Sequence, residues 1–578
     1  MKYTKHIIAI TAILLATTTV AQNSKDTTYV KRDMTIEREY NPVIMDAKKV
    51  NQNLVVEEPV FEKKQVVYSS YDAPLSIKSP SVTLPQAPLT AMERYDYKNG
   101  YAHLAIGAPL CWNVDFAYPI VNKNNCQLNF AINHYGEWWK GEKNKMIPYD
   151  DGYKWAHRQK IDTRGNLNFT KDWRNSELYM GLTYLNRAFN YSGTTADSTF
   201  IFSDTPHTRY QRFNNIDFIL GYKALPSADL LYDVAINYNL FGAPSQYLEH
   251  QAGLHATLDI PIPKNKKHHI AFRLGGDALF YNKMNNYTDT IPATSGVVEF
   301  SPMWRMIKKN LHLNLGLKAY FAFGRDNRIP NIAPDVELEY FIKPEKVSFY
   351  IGASGGYQLN SMRNIYATNR FSNIYTAPAD TYTPLSAHIG IKIKPISHLF
   401  IDAFARYQLV VDELLYTNSP LNGDSTLFDN TFIVQNSDWQ QLTAGLHINY
   451  NYKDQWNIYL KAQYNGWWHL GKLNTEEHAW YQPAAELTIG GNVNITPDWR
   501  LSASYYLAAI RYAKVAGTTH RLRDAHDLNL SVSYSHSNWL TAYIAVENLL
   551  GIIPNTVYQD WYGYNRWGAA KIGIIFSF

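Results

Sequence analysis

Residues 455–470 read QWNIYLKAQYNGWWHL. Trp456, Ile458, Leu460, Ala462, Tyr464, Gly466 and Trp468 alternate with Asn457, Tyr459, Lys461, Gln463, Asn465 and His469. In an extended chain successive side chains point to opposite faces, so the stretch has one apolar face bounded by tryptophans and one polar face. Those tryptophans lie about 40 Å apart along a strand, or about 30 Å once the strand tilts near 40°, which is close to the apolar thickness of a membrane. The reading is a membrane-crossing β-strand with a lipid face and a wet face.

The pattern recurs. Leu230, Tyr232, Val234, Ile236, Tyr238 and Leu240 oppose Asp233, Ala235, Asn237 and Asn239; Leu311, Leu313, Leu315, Leu317 and Ala319 oppose His312, Asn314, Gly316, Lys318 and Tyr320; Leu528, Leu530, Val532 and Tyr534 oppose Asn529, Ser531, Ser533 and Ser535. A soluble sandwich would alternate too, and the connections separate the two cases. Segments of about 9 to 17 residues give about 22 strands. Short connections fall at 121–125, 174–177, 226–229, near Pro344, at 453–454 and at 497–499, with long ones at 140–158, 191–207, 285–296, 360–383 and 414–435. One position expected to be long, near Ser245, is short. Short turns on one rim and long loops on the other predict an all-β fold, an antiparallel transmembrane β-barrel of about 22 strands over residues 101–578.

Composition agrees. The chain holds 44 Tyr, 15 Trp and 24 Phe with 18% charged residues, usage that suits strands and a membrane–water boundary. Its net charge of +5 is scattered, so no nucleic-acid partner is expected. Lys2 and Lys5 precede the apolar run Ile7–Ala16, and Thr19 and Ala21 are the small residues before a cut at Gln22, which predicts a signal peptide over 1–21. No later run of about 18 apolar residues offers a transmembrane helix. Residues 22–100 are expected to form a largely extended periplasmic or luminal segment, since Pro42, Pro59, Pro74, Pro80, Pro85 and Pro88 break helices.

The chain ends KIGIIFSF, with Lys571, Gly573, Ile575 and Ser577 alternating with Ile572, Ile574, Phe576 and Phe578. This resembles the closing strand of an outer-membrane barrel, a class whose final aromatic residue is recognised by the barrel-assembly machinery. The strand number resembles the barrel domain of TonB-dependent transporters, in a Bacteroidetes-like form given the AQ cleavage context. The resemblance covers the barrel and not a conventional plug. It implies a Gram-negative outer membrane, contact with outer-membrane lipid and a transport role. DTTYV at 26–30 faintly resembles the short TonB box.

Twenty-two strands about 4.8 Å apart and tilted near 40° close a cylinder about 44 Å across. Its bore is on the order of 20,000 Å³, whereas residues 22–100 at about 130 Å³ each fill on the order of 10,000 Å³. A stopper is therefore expected from the N-terminal segment, the loops or a periplasmic or surface protein partner. Within the segment, Ile36, Tyr40, Pro42, Val43 and Ile44 are the candidate gating or docking residues, with Pro42 opposing a continuous helix.

The inward positions carry Lys318, Lys392, Lys394, Arg406, Lys461, Arg500 and Lys571 against Asp233, Asp259, Asp402, Asp412 and Glu137, a mixture that argues against a simple ion filter. His255, His312, His388 and His447 fall on about the eighth, eleventh, fourteenth and sixteenth strands, too far apart for metal bonds of about 2 Å, so no metal or cofactor is expected. His268 and His269 read as part of a solvated basic turn. No H-E-x-x-H, phosphate loop or dinucleotide fingerprint is present, and no enzyme activity is expected. A hairpin centred near Lys123 sets Cys126 opposite Ile120, leaving Cys111 about 30 Å away and outside disulfide range. Two functions fit: a transporter-like barrel for a solute, gated by its N-terminal segment, its loops or a lid protein over aromatic-rich loops such as 362–382; or a structural or assembly subunit of an outer-membrane complex.

Overall fold

The computed structural model describes residues 100–142, 155–190, 210–225, 228, 230–243, 247–262, 267–283, 293–325, 331–343, 346–372, 378–421, 424–453, 455–470, 476–515, 518–550 and 568–578. The proposed signal peptide and the candidate residues Ile36, Tyr40, Pro42, Val43 and Ile44 lie outside them.

The strands are β1 (Tyr101–Ala108), β2 (Cys111–Lys123), β3 (Cys126–Glu142), β4 (Trp155–Asp172), β5 (Ser176–Asn190), β6 (Tyr210–Ala224), β7 (Leu231–Ala243), β8 (Tyr247–Pro261), β9 (His268–Lys283), β10 (Ser295–Lys308), β11 (Leu311–Gly324) and β12 (Asn331–Lys343). They continue as β13 (Val347–Gln358), β14 (Thr381–Ile396), β15 (Leu399–Leu421), β16 (Asp424–Tyr452), β17 (Trp456–His469), β18 (Ala485–Asn494), β19 (Trp499–Ala509), β20 (Arg511–Val515), β21 (Thr518–Leu522), β22 (Ala525–Ser537), β23 (Leu540–Glu547) and β24 (Ala569–Ser577). Strands β20 and β21 form a separate hairpin, and the other strands make one 22-stranded sheet. Pairing of β1 with β24, Tyr101 opposite Ser577 through Ala108 opposite Ala570, closes it. Phe578 finishes the seam by exchanging backbone bonds with Gly100 at 2.7 and 2.9 Å and stacking on Tyr118. Closure leaves no unpaired sheet edge, as a lipid environment demands.

The dyad pattern fixes which face meets lipid. Trp456, Ile458, Tyr464 and Trp468 are exposed on the outer wall while Asn465 is buried inside; Val234, Ile236 and Tyr238 face out while Asn239 faces in. Ile572 is 61% exposed, whereas its neighbour Lys571 is 6% exposed and pairs with Glu547 inside at 2.7 Å. A wall whose accessible face is aliphatic and aromatic from end to end belongs in a bilayer, and no described helix is long and apolar enough to cross one. The chain is an outer-membrane barrel. Its short turns therefore lie on the periplasmic rim and its long loops outside.

Two details of register differ from expectation. Cys126 pairs with Lys123 across a two-residue Asn124–Asn125 turn, and the slip is absorbed by a bulge at Ile120. The two cysteines still sit at opposite ends of the β2–β3 hairpin, about 40 Å apart. Residues 414–435, read as a loop, are mostly strand: β15 and β16 run on past the membrane as a paired hairpin whose Leu415, Tyr416, Phe432 and Val434 are buried.

A recurring brace stiffens the periplasmic half. Tyr179, Tyr350 and Tyr543 are each the fourth residue of an outgoing strand, and each ring lies across a glycine of the next strand: Gly221, Gly390 and Gly573. The hydroxyl then reaches a third strand, donating to Asp233 at 2.8 Å and to Asp402 at 2.9 Å, and bonding His103 at 2.7 Å. Lys223 and Lys392 lie over the first two rings at 5.4 and 4.8 Å. A Cβ at Gly390 would stand 2.4 Å from Tyr350 Cζ, so the ring needs the glycine. Gly390→Val should therefore destabilise the barrel by about 2–4 kcal/mol, from overpacking plus loss of a bond to a charged group, and Tyr350→Phe by about 1.5–3 kcal/mol. Urea unfolding midpoints in lipid vesicles, read by tryptophan fluorescence, check both.

Candidate functional site

The described part of the connection between β13 and β14, residues 359–372 and 378–380, does not stand away from the barrel; it folds into the mouth. Its centre is helix α1 (Met362–Thr368), started by Ser361, whose side chain accepts from the Asn364 amide, and closed by the Asn369 amide donating to Ile365 O. Seven residues make too short a helix to persist alone. Packing holds it. Met362, Ile365 and Tyr366 are buried, and Tyr366 lies 4.4 Å from Phe213 on β6 and 5.6 Å from Phe241 on β7. Phe371, just beyond the helix, meets Phe189 of β5 edge-on at 5.3 Å. Strands β4 and β13 stand nine positions apart on a ring of 22, so this lid crosses most of the lumen.

Polar bonds fix its register. Glu249 of β8, wholly buried, accepts from the Met362 and Arg363 amides at 2.5 and 3.1 Å, occupying two of the helix's open amino-terminal donors. Arg363 bonds Asp217 on β6 at 2.9 Å and Gln251 on β8 at 3.1 Å. Arg370 takes both oxygens of Asp162 on β4, at 3.3 and 3.2 Å. At the returning stem, buried Asp380 accepts from Arg325, from the Asn360 amide and from Ser295. Bidentate and charge-assisted bonds of this kind are the directional ones.

On its far side the lid joins a second layer. The Phe432 amide on β16 donates to Phe371 O at 3.0 Å, Ser372 bridges Phe432, and the Phe432 ring meets Tyr481 at 5.5 Å. Residues 476–484 in turn seat on the β20–β21 hairpin: Tyr481 donates to Tyr512 O at 2.6 Å, His478 stacks on Tyr512 at 4.0 Å, and Glu476 binds Lys514 at 2.9 Å. The result is a continuous layer of buried aromatic and aliphatic side chains inside the loop-side mouth. Of the aromatics in 362–382, expected to be a surface for a lid protein, Tyr366 and Phe371 are buried within this layer. Ile365 and Phe371 have almost no accessible surface.

The remaining inward residues are mostly paired. Lys392 binds Glu339, Lys318 approaches Asp335 at 3.7 Å, Arg305 binds Asp259, and Tyr350 holds Asp402. The four histidines fall on β8, β11, β14 and β16 as expected; His255 meets Asp277 at 3.5 Å, and His312, His388 and His447 pack on Phe341, Tyr350 and Phe404. His269 is not solvated: it is buried, 2.8 Å from Asp259, while His268 stacks on Trp304. Residues 352–356, GASGG, match the G-x-S-x-G spelling, but they lie within strand β13 and not at the strand-to-helix turn that exposes a nucleophile. Among the described residues no group of His, Cys, Asp and Glu is placed to hold a metal ion.

Known structures share this architecture. The FrpB iron transporter of Neisseria meningitidis matches with a TM-score of 0.60 at 10% identity, over 84% of this chain and 82% of that one. A variant of the ferric enterobactin receptor PfeA of Pseudomonas aeruginosa, in complex with enterobactin, matches at 0.59 and 12%, over 84% and 82%. The siderophore receptor PirA of Acinetobacter baumannii matches at 0.59 and 10%, over 84% and 81%. No family profile and no curated protein sequence matches the chain. At such identities the likeness is one of fold: this is an outer-membrane β-barrel with the 22-strand architecture of TonB-dependent receptors.

Proposed function

We propose that the protein passes a solute across the outer membrane through its barrel, and that residues 359–372 are the gate. The observation that carries this is the placement of the lid's anchors: Glu249, Asp217 and Asp162 sit on β8, β6 and β4, five, seven and nine positions round the ring from the lid's stem on β13. A strap held by ion pairs, amide caps and the single bridge from Ser372 to Phe432 can leave without breaking any pairing within the barrel sheet. The iron, siderophore and copper receptors of the same fold support a transporter-like reading, and no catalytic role is proposed. In this reading residues 22–100 dock a periplasmic protein through Ile36, Tyr40, Pro42, Val43 and Ile44 and do not close the bore.

The test removes residues 22–100 while keeping the signal. The truncated barrel should fold, stay closed in planar bilayers and leave cells no more sensitive to large antibiotics, while any protein that co-purifies with the intact chain is lost. Large conductance steps from this truncation alone would place the stopper in the N-terminal segment and overturn the lid as gate.

A further inference from the structure

Beneath the lid the wall carries positive charge that the described residues neutralise only in part. Arg164 on β4 and Arg187 on β5 face the lumen beside Asp162, which is the register partner of Arg187. Arg370 reaches the same place from the lid. The three guanidiniums share one carboxylate, and Arg370 already takes both of its oxygens. Lys160, next along β4, is a further cation in the field of Asp162, with Glu137 as its own partner at 3.9 Å. Arg187 stands in the repelling field of both Arg370 and Arg164. Its Nε is buried without a hydrogen-bond partner, and neither Arg187 nor Arg164 makes an ion pair among the described residues. Arg164 is exposed to the lumen, so the cluster is open on one side.

A guanidinium presents its donors in a planar fork that matches the oxygens of phosphate, sulfate or carboxylate. Three such forks from three elements, with a buried donor left open, have the chemistry of an anion site. We propose that Arg164, Arg187 and Arg370 bind an anionic group of the solute, of the phosphate or sulfate type. The proposal rests on the reading of the lumen as a solute path, and it adds regulation to it. An anion seated here competes with Asp162 for Arg370, and so loosens one of the lid's anchors as the solute arrives.

Titration calorimetry of the full-length protein in detergent at low ionic strength, with inorganic phosphate and with sulfate as probes, tests it. The wild type should bind one anion per barrel. Arg187→Met should weaken binding roughly tenfold or more, Arg187→Lys should retain part of it, and Asp162→Asn should strengthen it about fivefold by releasing Arg370. The faster migration of unheated barrels in detergent gels reports that each variant is folded. No binding by the wild type, or equal binding by Arg187→Met, overturns the site. The calorimetry is independent of conductance: anion binding that follows this order in a protein whose lid variants never conduct would keep the site and sink the gate.

Discussion

Deleting residues 361–378 and joining Asn360 to Ala379 through a Gly-Ser pair should convert a closed barrel into a conducting one. The deletion is geometrically mild, because Asn360 Nδ2 donates to Ala379 O at 2.6 Å and the ends to be joined are already neighbours. Asn436 and Thr381 hold those ends to the wall independently of the lid. Strands β13 and β14 keep their pairing from Val347 opposite Ile393 to Gln358 opposite Thr381. What disappears is the wedge made by Met362, Ile365, Tyr366 and Phe371, none of which leaves room for water. Ions then meet a polar wall in place of a dry aromatic layer. Planar bilayers should show steps on the order of a nanosiemens in molar salt, the scale of a water-filled bore about 10 Å wide, against none from the intact chain. The same steps should appear with residues 22–100 present or removed. A folded deletion barrel that remains closed would assign the stopper to the layer built from 476–484 and the β20–β21 hairpin, or to the N-terminal segment.

The barrel was legible because lipid enforces a rule on every strand. Leu311 to Ala319 or Leu528 to Tyr534 cannot alternate so strictly by accident, and the length of each run is set by the membrane. Legibility failed where that rule stops. Residues 414–435 contain Asn418, Pro420, Asn422 and Gly423, which read as breakers, yet above the membrane the hairpin is held by packing on the lid through Phe371 and Phe432. Helix α1 and its anchors were invisible for a related reason. Asp162, Asp217 and Glu249 are far from Arg370 and Arg363 in sequence, and nothing local marks those carboxylates as partners. The tyrosine brace, by contrast, was present to be found: SELY, VSFY and LTAY place tyrosine at the same step after a turn, and glycine stands near the matching point of each following strand. The luminal charges were recognised as mixed in sign, but only the three-dimensional pairing shows which of them are left over.

Locking the lid should abolish passage reversibly. Ser372 and Phe432 form a parallel bridge, which sets their α-carbons near 4.8 Å and within the 4.4–6.8 Å that a disulfide tolerates. In a background with Cys111→Ser and Cys126→Ser, the pair Ser372→Cys and Phe432→Cys should oxidise readily, because backbone bonding of Phe432 to Phe371 already holds the two segments in register. Loss of the Phe432 ring removes its contact with Tyr481 and costs about 3–4 kcal/mol locally, so the reduced double variant should be looser than wild type and leak. Oxidation then replaces a weakened non-covalent seam with a covalent one. The expected readout is a redox-dependent barrel: liposomes carrying the double variant release a small anionic dye when reduced and retain it when oxidised, while Phe432→Cys alone leaks under both conditions. Equal retention by the reduced double variant would mean that the lid does not move in passage. Equal leakage after complete oxidation, verified by mass spectrometry, would mean that the solute path lies elsewhere in the mouth, and residues 476–484 with the β20–β21 hairpin would be the remaining movable part.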